Sequence, residues 1–180
     1  SACGRLVEIA RANGVLVSFD PNIRRELVND DAARARLLDA VRSADVVEPT
    51  LEEGRIVTGK HSIGDVLRAL HAMGPRTVVL TRDKDGAVIS RDGRVAIAAG
   101  IDEPAVDPTG AGDTFAAALC VGLREEMELE RLACFCNCAG TLVIRHKGAI
   151  GMALPTRAQV EELMASGACR VTTARLEDMP

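Results

Sequence analysis

The chain has 180 residues, of which 47% are hydrophobic, and a formal net charge of −4 at pH 7. This length suits one domain with its own core, and the negative charge excludes the electrostatic footprint of a protein that binds nucleic acid or anionic membranes. Aromatic residues make up 2% of the chain, with no Trp or Tyr, so the core must be aliphatic. The longest clean apolar run, near residues 114–123, is too short to span a bilayer.

Strand and helix patterns alternate along the chain. Short apolar runs predict strands at residues 15–19, 44–47 and 77–80, and a hairpin at the sheet edge with strands at residues 87–90 and 94–98. Helical patterns cover residues 2–13, 30–42 and 62–73, a segment from residue 113, and residues 128–142 and 157–165. The alternation indicates parallel strands in a layered α/β sheet with helices on both faces. Residues 166–180 lack periodicity, and we expect an irregular tail after a domain of residues 1–165.

The most informative segment is Asp107-Pro108-Thr109-Gly110-Ala111-Gly112-Asp113, which an apolar, Ala-rich helix follows at once. Glycines let the backbone pass close to a ligand, and the N–H groups at a helix N-terminus form an anion site. A carboxylate would repel an anion that is only bound there. It fits a site in which Asp113 takes a proton from a hydroxyl that attacks a phosphoryl group.

Two other interpretations of this segment stay open from the residues. Asp113 or Thr109 could simply cap the helix. The Gly110-x-Gly112 pair could also begin the phosphate-binding turn of a dinucleotide-binding oxidoreductase. Against the second interpretation, Phe115 stands where that turn needs glycine or alanine, and no clean strand precedes the turn.

The segment 107–113 resembles, at every position, the C-terminal signature of the ribokinase (PfkB) family of carbohydrate kinases. Residues 18–24, Ser-Phe-Asp-Pro-Asn-Ile-Arg, resemble the Asp-x-Asn-x-Arg segment of the branch that phosphorylates 2-keto-3-deoxygluconate and tagatose. Residues 137–143 with Lys147-Gly148-Ala149 and Pro155-Thr156 are similar to the closing segment of the family. These landmarks come in the family's order from residue 18 to residue 156.

The resemblance implies a ribokinase-like fold and ATP-dependent phosphorylation of a hydroxyl on a sugar or sugar acid. Asp113 would be the general base, and the N–H groups of Gly110, Ala111 and Gly112 would stabilise the transferring phosphoryl group. The remaining roles it implies are substrate contacts by Asn22 and Arg24; nucleotide contacts by Thr81, Asp83, Gly86 and Asn137; Mg²⁺ held through water by Glu53; and a monovalent cation, K⁺, held by Asp107 and Thr109.

Two landmarks depart from the family pattern. Thr50 stands where the family's Asn-x-x-Glu segment begins, although Glu53 is kept, and Asp83 stands where the nucleotide loop has its first glycine. Asp83 would add negative charge near phosphates, in a backbone conformation that Asp tolerates only partly. The family's N-terminal part has no counterpart in the 180 residues. We therefore expect an incomplete, C-terminal portion of such a kinase, with a catalytically inactive nucleotide-binding fragment as the alternative.

Six cysteines raise the question of metal or disulfides. Cys134 and Cys138 share one face of a predicted helix and Cys136 points elsewhere, and no Cys-x-x-Cys pair exists. We expect buried, reduced cysteines that pack like small apolar side chains, and a cytoplasmic setting. The partner we expect is a small sugar or sugar acid, without nucleic acid or membrane, and a homodimer is also considered.

Overall fold

The computed structural model describes residues 2–23 and 30–180. The chain divides into two compact units. The first comprises Ser1–Leu80, Ser90–Gly93 and Arg175–Pro180, and the second comprises Thr81–Ile89 and Arg94–Ala174. The predicted mixed α/β class with parallel strands is confirmed, since helices and strands alternate and the first three strands pair in parallel.

The first unit alternates helices with short strands. β1 pairs with β2 in the register Ser18↔Val46, and β2 pairs with β3 in the register Val46↔Thr77. The bounds are α1 Ala2–Ala12, β1 Ser18–Phe19, α2 Asp31–Ser43, β2 Val46–Val47, α3 Leu51–Thr58, α4 Ile63–Met73 and β3 Thr77–Thr81, whose last residue crosses into the second unit.

Local chemistry explains where these helices begin and end. The carboxylate of Asp30 accepts a hydrogen bond from the Ala33 N–H at 2.6 Å and caps α2. Ser62 caps α4 in the same way. Gly59 ends α3 with a φ of 69°, a left-handed conformation that suits glycine. Because side-chain oxygens satisfy first-turn N–H groups, the starts of α2 and α4 are already encoded in the nearby sequence.

The core of the first unit is aliphatic, as the composition requires. Eight fully buried side chains, branched or long aliphatic groups without polar atoms, come from α2, β2, α4 and β3: Val41, Val47, Val66, Leu67, Leu70, Val78, Val79 and Leu80. Gly54 of α3 faces this core, where an added Cβ would lie 2.9 Å from Val66 Cγ1. The small residue therefore lets α3 approach α4.

The second unit is built around α6, which packs against α5, α7 and β5. Gly122 of α5 allows close packing, because a Cβ there would lie 2.3 Å from Leu132 Cδ1 of α6. The strands of this unit are β4 Gly86–Arg91, β5 Arg94–Ala99 and β6 Val171–Arg175, of which the last two residues of β4 and the last residue of β6 belong to the first unit. The helices are α5 Ala111–Arg124, α6 Leu129–Val143 and α7 Arg157–Ala165. One-turn 3₁₀ helices lie at Asp83–Asp85 and Gly151–Ala153.

The predicted irregular tail at residues 166–180 is wrong, and so is the edge position of the hairpin. β6 lies next to β5, on the side away from β4, so the hairpin strands β4 and β5 are not the last strands of the sheet. β6 is mostly exposed, which explains why its sequence carries no alternation. The last residues dock on α4, where the Arg68 guanidinium donates to the carbonyls of Leu176 and Met179 at 3.0 and 3.1 Å.

α3 was also not anticipated from the sequence as a helix of its own. Within residues 2–23 and 30–180, the structure contains no helix long and apolar enough to cross a membrane.

Candidate active site

The start of α5 is a turn that only glycine suits. Gly110 is the N-cap residue and has a φ of 84°, in the left-handed region. A Cβ at this position would lie 2.5 Å from the Cβ of Ala149. No atom of residues 2–23 and 30–180 lies within 4 Å of a Cβ placed on Gly112, so among these residues the backbone is open on that side. The turn therefore packs against residue 149 on one side and leaves room for a ligand at residue 112.

The N–H groups of the predicted anion hole are not equivalent. The N–H of Ala111 donates to the carbonyl of Pro108 at 3.2 Å and closes the turn. The N–H of Gly112 belongs to the first turn of α5, where N–H groups have no carbonyl partner within the helix. Gly112, in open space at the positive end of the helix dipole, is thus the member of the predicted trio that best fits an anion.

Asp113 is the third residue of α5 and its side chain is exposed. The carboxylate forms no hydrogen bond or ion pair with any other residue in the described part of the chain. The N-cap is Gly110, which has no side chain, and no side-chain capping bond is present at this helix start. Neither Asp113 nor Thr109 acts as the N-cap, so the geometry argues against the capping interpretation.

A cavity of about 330 Å³ opens beside Asp113. Asp113 and Arg157 are the charged residues in its lining, and the rest is largely apolar. Arg157 is engaged elsewhere, because its guanidinium makes two hydrogen bonds to the carboxylate of Glu125 at 2.5 and 2.9 Å. A sugar needs several hydrogen-bond partners for its hydroxyls, so we assign no sugar to this cavity.

Asp107 holds the glycine turn to the segment that follows α6. One carboxylate oxygen accepts the N–H of Thr109 at 3.0 Å, and the other accepts the N–H of Gly148 at 2.9 Å. Hydrogen bonds from the Thr109 side chain and from the backbone of Gly148 and Thr109 lower the pKa of Asp107 to about 2. Asp107 is therefore ionised at neutral pH. Thr109 is exposed beside it.

The predicted nucleotide loop follows β3 as a tight turn. Asp83 has a φ of 51°, so the position that the family fills with glycine keeps a left-handed backbone here. Gly86 has a φ of 88°, and a Cβ there would lie 2.2 Å from the carbonyl oxygen of Ala98. The Arg82 guanidinium donates to the carbonyl of Asp85 at 2.6 Å, which binds it to the loop backbone. Thr81, at the end of β3, is half-buried.

Asn137 lies on α6 and is 7% exposed. Its side-chain N–H₂ group donates to the carbonyl of Ala99 at 2.9 Å and lies 3.7 Å from Cys169 Sγ. The donors of this amide therefore point into the protein. A nucleotide base would have to use the carbonyl oxygen of the side chain.

In the first unit the structure brings the segments 20–23 and 50–53 together. Asn22 has a φ of 39°, and its N–H donates to Asp20 Oδ1 at 3.0 Å. The next N–H, of Ile23, donates to Glu53 Oε1 at 2.5 Å. Arg24, the other predicted substrate residue, lies outside the described residues.

Glu53 is also the partner of Thr50 in a capping box at the start of α3. Its Oε2 accepts the N–H of Thr50 at 2.8 Å and the hydroxyl of Thr50 at 2.9 Å. Together with the bond from Ile23, three of the roughly four acceptor positions of a carboxylate are used. One position is left, which suits a water-mediated contact with Mg²⁺ rather than a direct bond.

Sequence reasoning missed Glu48, a carboxylate that is 9% exposed. The hydroxyl of Ser18 donates to Glu48 Oε1 at 2.7 Å. Burial raises the pKa of Glu48, the hydrogen bond from Ser18 opposes this, and the nearby charge of Asp20 adds to it. The sequence did contain a pattern that could have indicated Glu48, since this acid comes directly after the buried strand residues Val46 and Val47.

Sequence reasoning also missed a cluster of three thiols. The sequence placed Cys134 and Cys138 on one face of α6, and the structure adds Cys169, from the segment between α7 and β6. Hydrogen bonds from the other two thiols lower the pKa of Cys169 to about 3. The hydrogen bond with Cys138 lowers the pKa of Cys134, but the hydrogen bond and charge of Cys169, together with burial, outweigh it and raise that pKa to about 11. No local sequence pattern indicates this cluster, because Cys169 comes 31 positions after Cys138.

Comparison with known proteins identifies consistent relatives. The family model described as pfkB family carbohydrate kinase matches residues 1–157. Fructokinase from Escherichia coli is 36% identical over 169 residues, which cover 89% of this chain and 54% of that protein. Fructokinase-1 from Oryza sativa subsp. japonica is 34% identical over 176 residues, 92% of this chain and 54% of that protein. The chain thus spans about half the length of the curated relatives that it matches.

Solved structures agree with these relatives. The structure of a fructokinase double mutant from Vibrio cholerae O395 with fructose, ADP and potassium superposes with a TM-score of 0.77 at 31% identity, covering 87% of this chain and 52% of that one. An Escherichia coli chain assigned as ribokinase II, solved with ATP and Mg²⁺, gives a TM-score of 0.86 at 24% identity over 92% and 54% of the two chains. The second likeness shows the fold alone.

Proposed function

The chain belongs to the pfkB family of carbohydrate kinases, and we propose that it carries the phosphoryl-transfer site of an ATP-dependent kinase for a sugar or sugar-acid hydroxyl. The observation that carries this proposal is the state of Asp113. Its carboxylate is exposed, has no partner among the residues that the structure describes, and lies in the first turn of a helix that begins at a glycine turn. Such a carboxylate is available to accept a proton.

The placement of Asp113 supports the following reaction. Asp113 takes the proton of the sugar hydroxyl, the hydroxyl oxygen bonds to the terminal phosphorus of ATP, and the bond to ADP breaks. The N–H of Gly112, with those of Gly110 and Ala111 in the same turn, offsets negative charge on the phosphoryl oxygens. Of the three, Ala111 contributes least, because its N–H also closes the turn to Pro108.

Nucleotide binding would involve Thr81, Asp83, Gly86 and Asn137. Asp83 is exposed and carries charge at the loop, so solvent screens its repulsion of phosphates. Mg²⁺, when bound with ATP, neutralises phosphate charge, and Glu53 would hold it through water with its remaining acceptor position. Asp107, with Thr109, would hold K⁺. Its low pKa supports this role because it keeps the carboxylate negative, although two backbone N–H groups already share it.

The substrate proposed is a keto sugar or sugar acid, recognised in part by Asn22 and Arg24. The segment 18–24 favours 2-keto-3-deoxygluconate or tagatose, while the named relatives favour fructose.

The alternative is that these 180 residues bind nucleotide without catalysing transfer. The observation that favours it is the coverage of 54% of the E. coli fructokinase, together with the acid at position 83. Under this alternative, activity would not appear in the 180 residues alone.

A chimera tests both ideas. The segment of E. coli fructokinase that precedes the matched region is fused to this chain, and ADP formation is measured with fructose, tagatose, ribose and 2-keto-3-deoxygluconate. We expect activity with at least one keto substrate. Asp113→Asn should lower kcat by roughly 10² to 10⁴, the usual contribution of a general base, at an unchanged Tm.

Two outcomes decide against the proposal. If Asp113→Asn keeps its turnover and loses stability, Asp113 is a structural residue. If the folded chimera binds ATP and transfers no phosphate to any of the four substrates, the non-catalytic alternative holds. The chain without the added segment serves as the reference for both measurements.

A further inference from the structure

Three cysteine thiols meet on the second unit outside the residues proposed for phosphoryl transfer. The Sγ atoms of Cys134, Cys138 and Cys169 all lie within 4.8 Å of one another. The Sγ atoms of Cys134 and Cys138 are 4.0 Å apart. Cys138 is buried, whereas Cys134 and Cys169 are partly exposed, so the cluster is reachable from solvent on one side.

These separations match the geometry of a thiolate metal site. Zinc binds thiolate sulfur at about 2.3 Å in a tetrahedral arrangement, which places two sulfurs of one site about 3.8 Å apart. The spacing within the cluster exceeds this value by less than about 1 Å. Small rotations of the cysteine side chains would close the difference. We propose that Cys134, Cys138 and Cys169 together bind one thiophilic divalent cation, zinc, with a fourth position open to water.

A metal site explains the three-thiol cluster better than simple packing of small apolar side chains does. Three sulfurs converge from two separate segments, α6 and the residues before β6, and two of the three are partly exposed. The side-chain amide of Asn137 lies 3.7 Å from Cys169 Sγ and donates toward it. Such an outer donor is typical of metal sites, where it orients a ligand.

The surroundings also suit a charged site. Arg131 lies on α6 one helical turn before Cys134 and is held by Glu161 at 2.9 Å. A site of three thiolates and one divalent cation carries one net negative charge, which a neighbouring guanidinium offsets.

Occupation of the site would join α6 to the segment between α7 and β6. This segment already contacts the end of β5, where the N–H of Ala99 donates to the carbonyl of Arg170 at 2.9 Å. Asn137, which donates to the carbonyl of the same Ala99, lies at the edge of the cluster. A bound cation should therefore stabilise this region, because it binds the folded chain and only weakly the unfolded one.

The test uses the 180-residue chain, stripped with chelator and kept reduced with a phosphine. Zinc chloride is titrated by calorimetry, and Tm is measured with and without zinc. We expect one zinc per chain and a higher Tm. Cys169→Ser should weaken binding by more than about 100-fold, beyond the effect of losing an outer-shell partner, and should abolish the zinc-dependent rise in Tm. Cys136→Ser, on another face of α6, and Cys120→Ser, on α5, are the matched controls and should bind like the parent.

Cobalt(II) substitution of the unmodified chain provides a measurement that needs no variant. Intense thiolate-to-cobalt charge-transfer absorption is expected for a three-thiolate site. The proposal is overturned if zinc binds with equal strength after Cys134, Cys138 and Cys169 are all replaced by Ser, if Cys136→Ser weakens binding as much as Cys169→Ser, or if cobalt gives no such band. A disulfide between two of the three, found by mass spectrometry of the chain purified without reductant and resistant to the phosphine, would also overturn it.

Discussion

The starts of α3 and α5 differ in a way that separates structure from chemistry. Each helix carries an acid at its third position, Glu53 in α3 and Asp113 in α5. Glu53 accepts three hydrogen bonds, from Thr50 and Ile23, and completes a capping box. Asp113 accepts none from the residues that the structure describes, and its helix begins at a glycine with no capping side chain.

The difference shows that an acid in the first turn of a helix has no fixed role. At α3 the carboxylate satisfies the helix end. At α5 the turn is held from outside, by Asp107 and by the packing of Gly110 on Ala149, which leaves Asp113 available. The comparison predicts that substitution of Glu53 at the start of α3 lowers stability. At the start of α5, substitution of the packed Gly110 should lower stability, whereas substitution of Gly112 or Asp113 should not.

The largest effect on stability is expected for Gly110→Ala. The new Cβ would lie 2.5 Å from the Cβ of Ala149, at a φ of 84° that alanine disfavours. Overpacking and a left-handed alanine together should lower the free energy of unfolding by about 1–3 kcal/mol. Gly112→Ala is the matched control, because open space surrounds that position. Urea denaturation measures both, and equal stabilities would show that packing on Ala149 does not hold the turn.

Glu53→Ala and Asp113→Ala test the comparison directly. Removal of the Glu53 carboxylate leaves the N–H groups of Thr50 and Ile23 without their acceptor, and should lower the free energy of unfolding by about 1–2 kcal/mol. Asp113→Ala removes a side chain that has no partner among the described residues, and should change the free energy of unfolding by less than about 0.5 kcal/mol. Thermal and urea unfolding provide the values. The comparison fails if Asp113→Ala loses as much stability as Glu53→Ala.

A smaller effect, on ATP affinity, is expected for Asp83→Gly. This substitution compares the turn at residue 83 with the turn at Gly110. Gly110 and Asp83 both have positive φ, but only the first is glycine. Glycine at position 83 removes a negative charge from the nucleotide loop, and because Asp83 is exposed the gain is screened. We expect ATP to bind the chimera several-fold more tightly by calorimetry, with Lys84→Ala as a control that leaves Asp83 in place. Unchanged affinity would show that Asp83 does not face the phosphates.

The smallest effect is a pH dependence at Asp107. Its pKa is lowered from 3.8 to about 2 by bonds from Thr109 and Gly148. A lowered pKa means that the carboxylate stabilises the fold above pH 3.8, and that this contribution disappears as the pH falls through 3.8 toward 2. The difference in the free energy of unfolding between the parent and Asp107→Asn should thus be constant near neutral pH. It should shrink as the pH falls from 3.8 toward 2. A difference independent of pH in urea titrations would contradict the bonds to Asp107.

Several parts of the fold could be predicted because their causes are local. The helices that begin at Asp31 and Ile63 follow capping residues, and α7 follows Thr156 with Gln159 at its third position. The capping box of Thr50 and Glu53 is equally local, and α3 was missed only because the segment was interpreted as a family landmark. β6 could not be predicted, because its mostly exposed side chains follow no alternating pattern.

The candidate site divides in the same way. The glycine turn and the acid at position 113 were visible in the sequence, since steric freedom at glycine and the helix dipole are local properties. The lack of partners for Asp113 among the residues that the structure describes, and the hydrogen bond from the N–H of Ile23 to Glu53, were not visible, because they depend on which segments fold against these helices. Asp107 was predicted as a cation ligand, and its bond to Gly148, 41 residues later, gives it a structural role as well.

The sequence by itself determined the α/β class, the helix starts that carry caps, and the turn from Asp107 to Asp113, because each depends on neighbours within a few residues. The tertiary structure alone decided that Gly110 packs on Ala149 and that Cys169 joins Cys134 and Cys138. The tertiary structure also showed that residues 166–180 end in a strand and a docked terminus. These contacts bring together segments far apart in the chain, and no local preference specifies them, since they form only when the buried core brings both segments to one place.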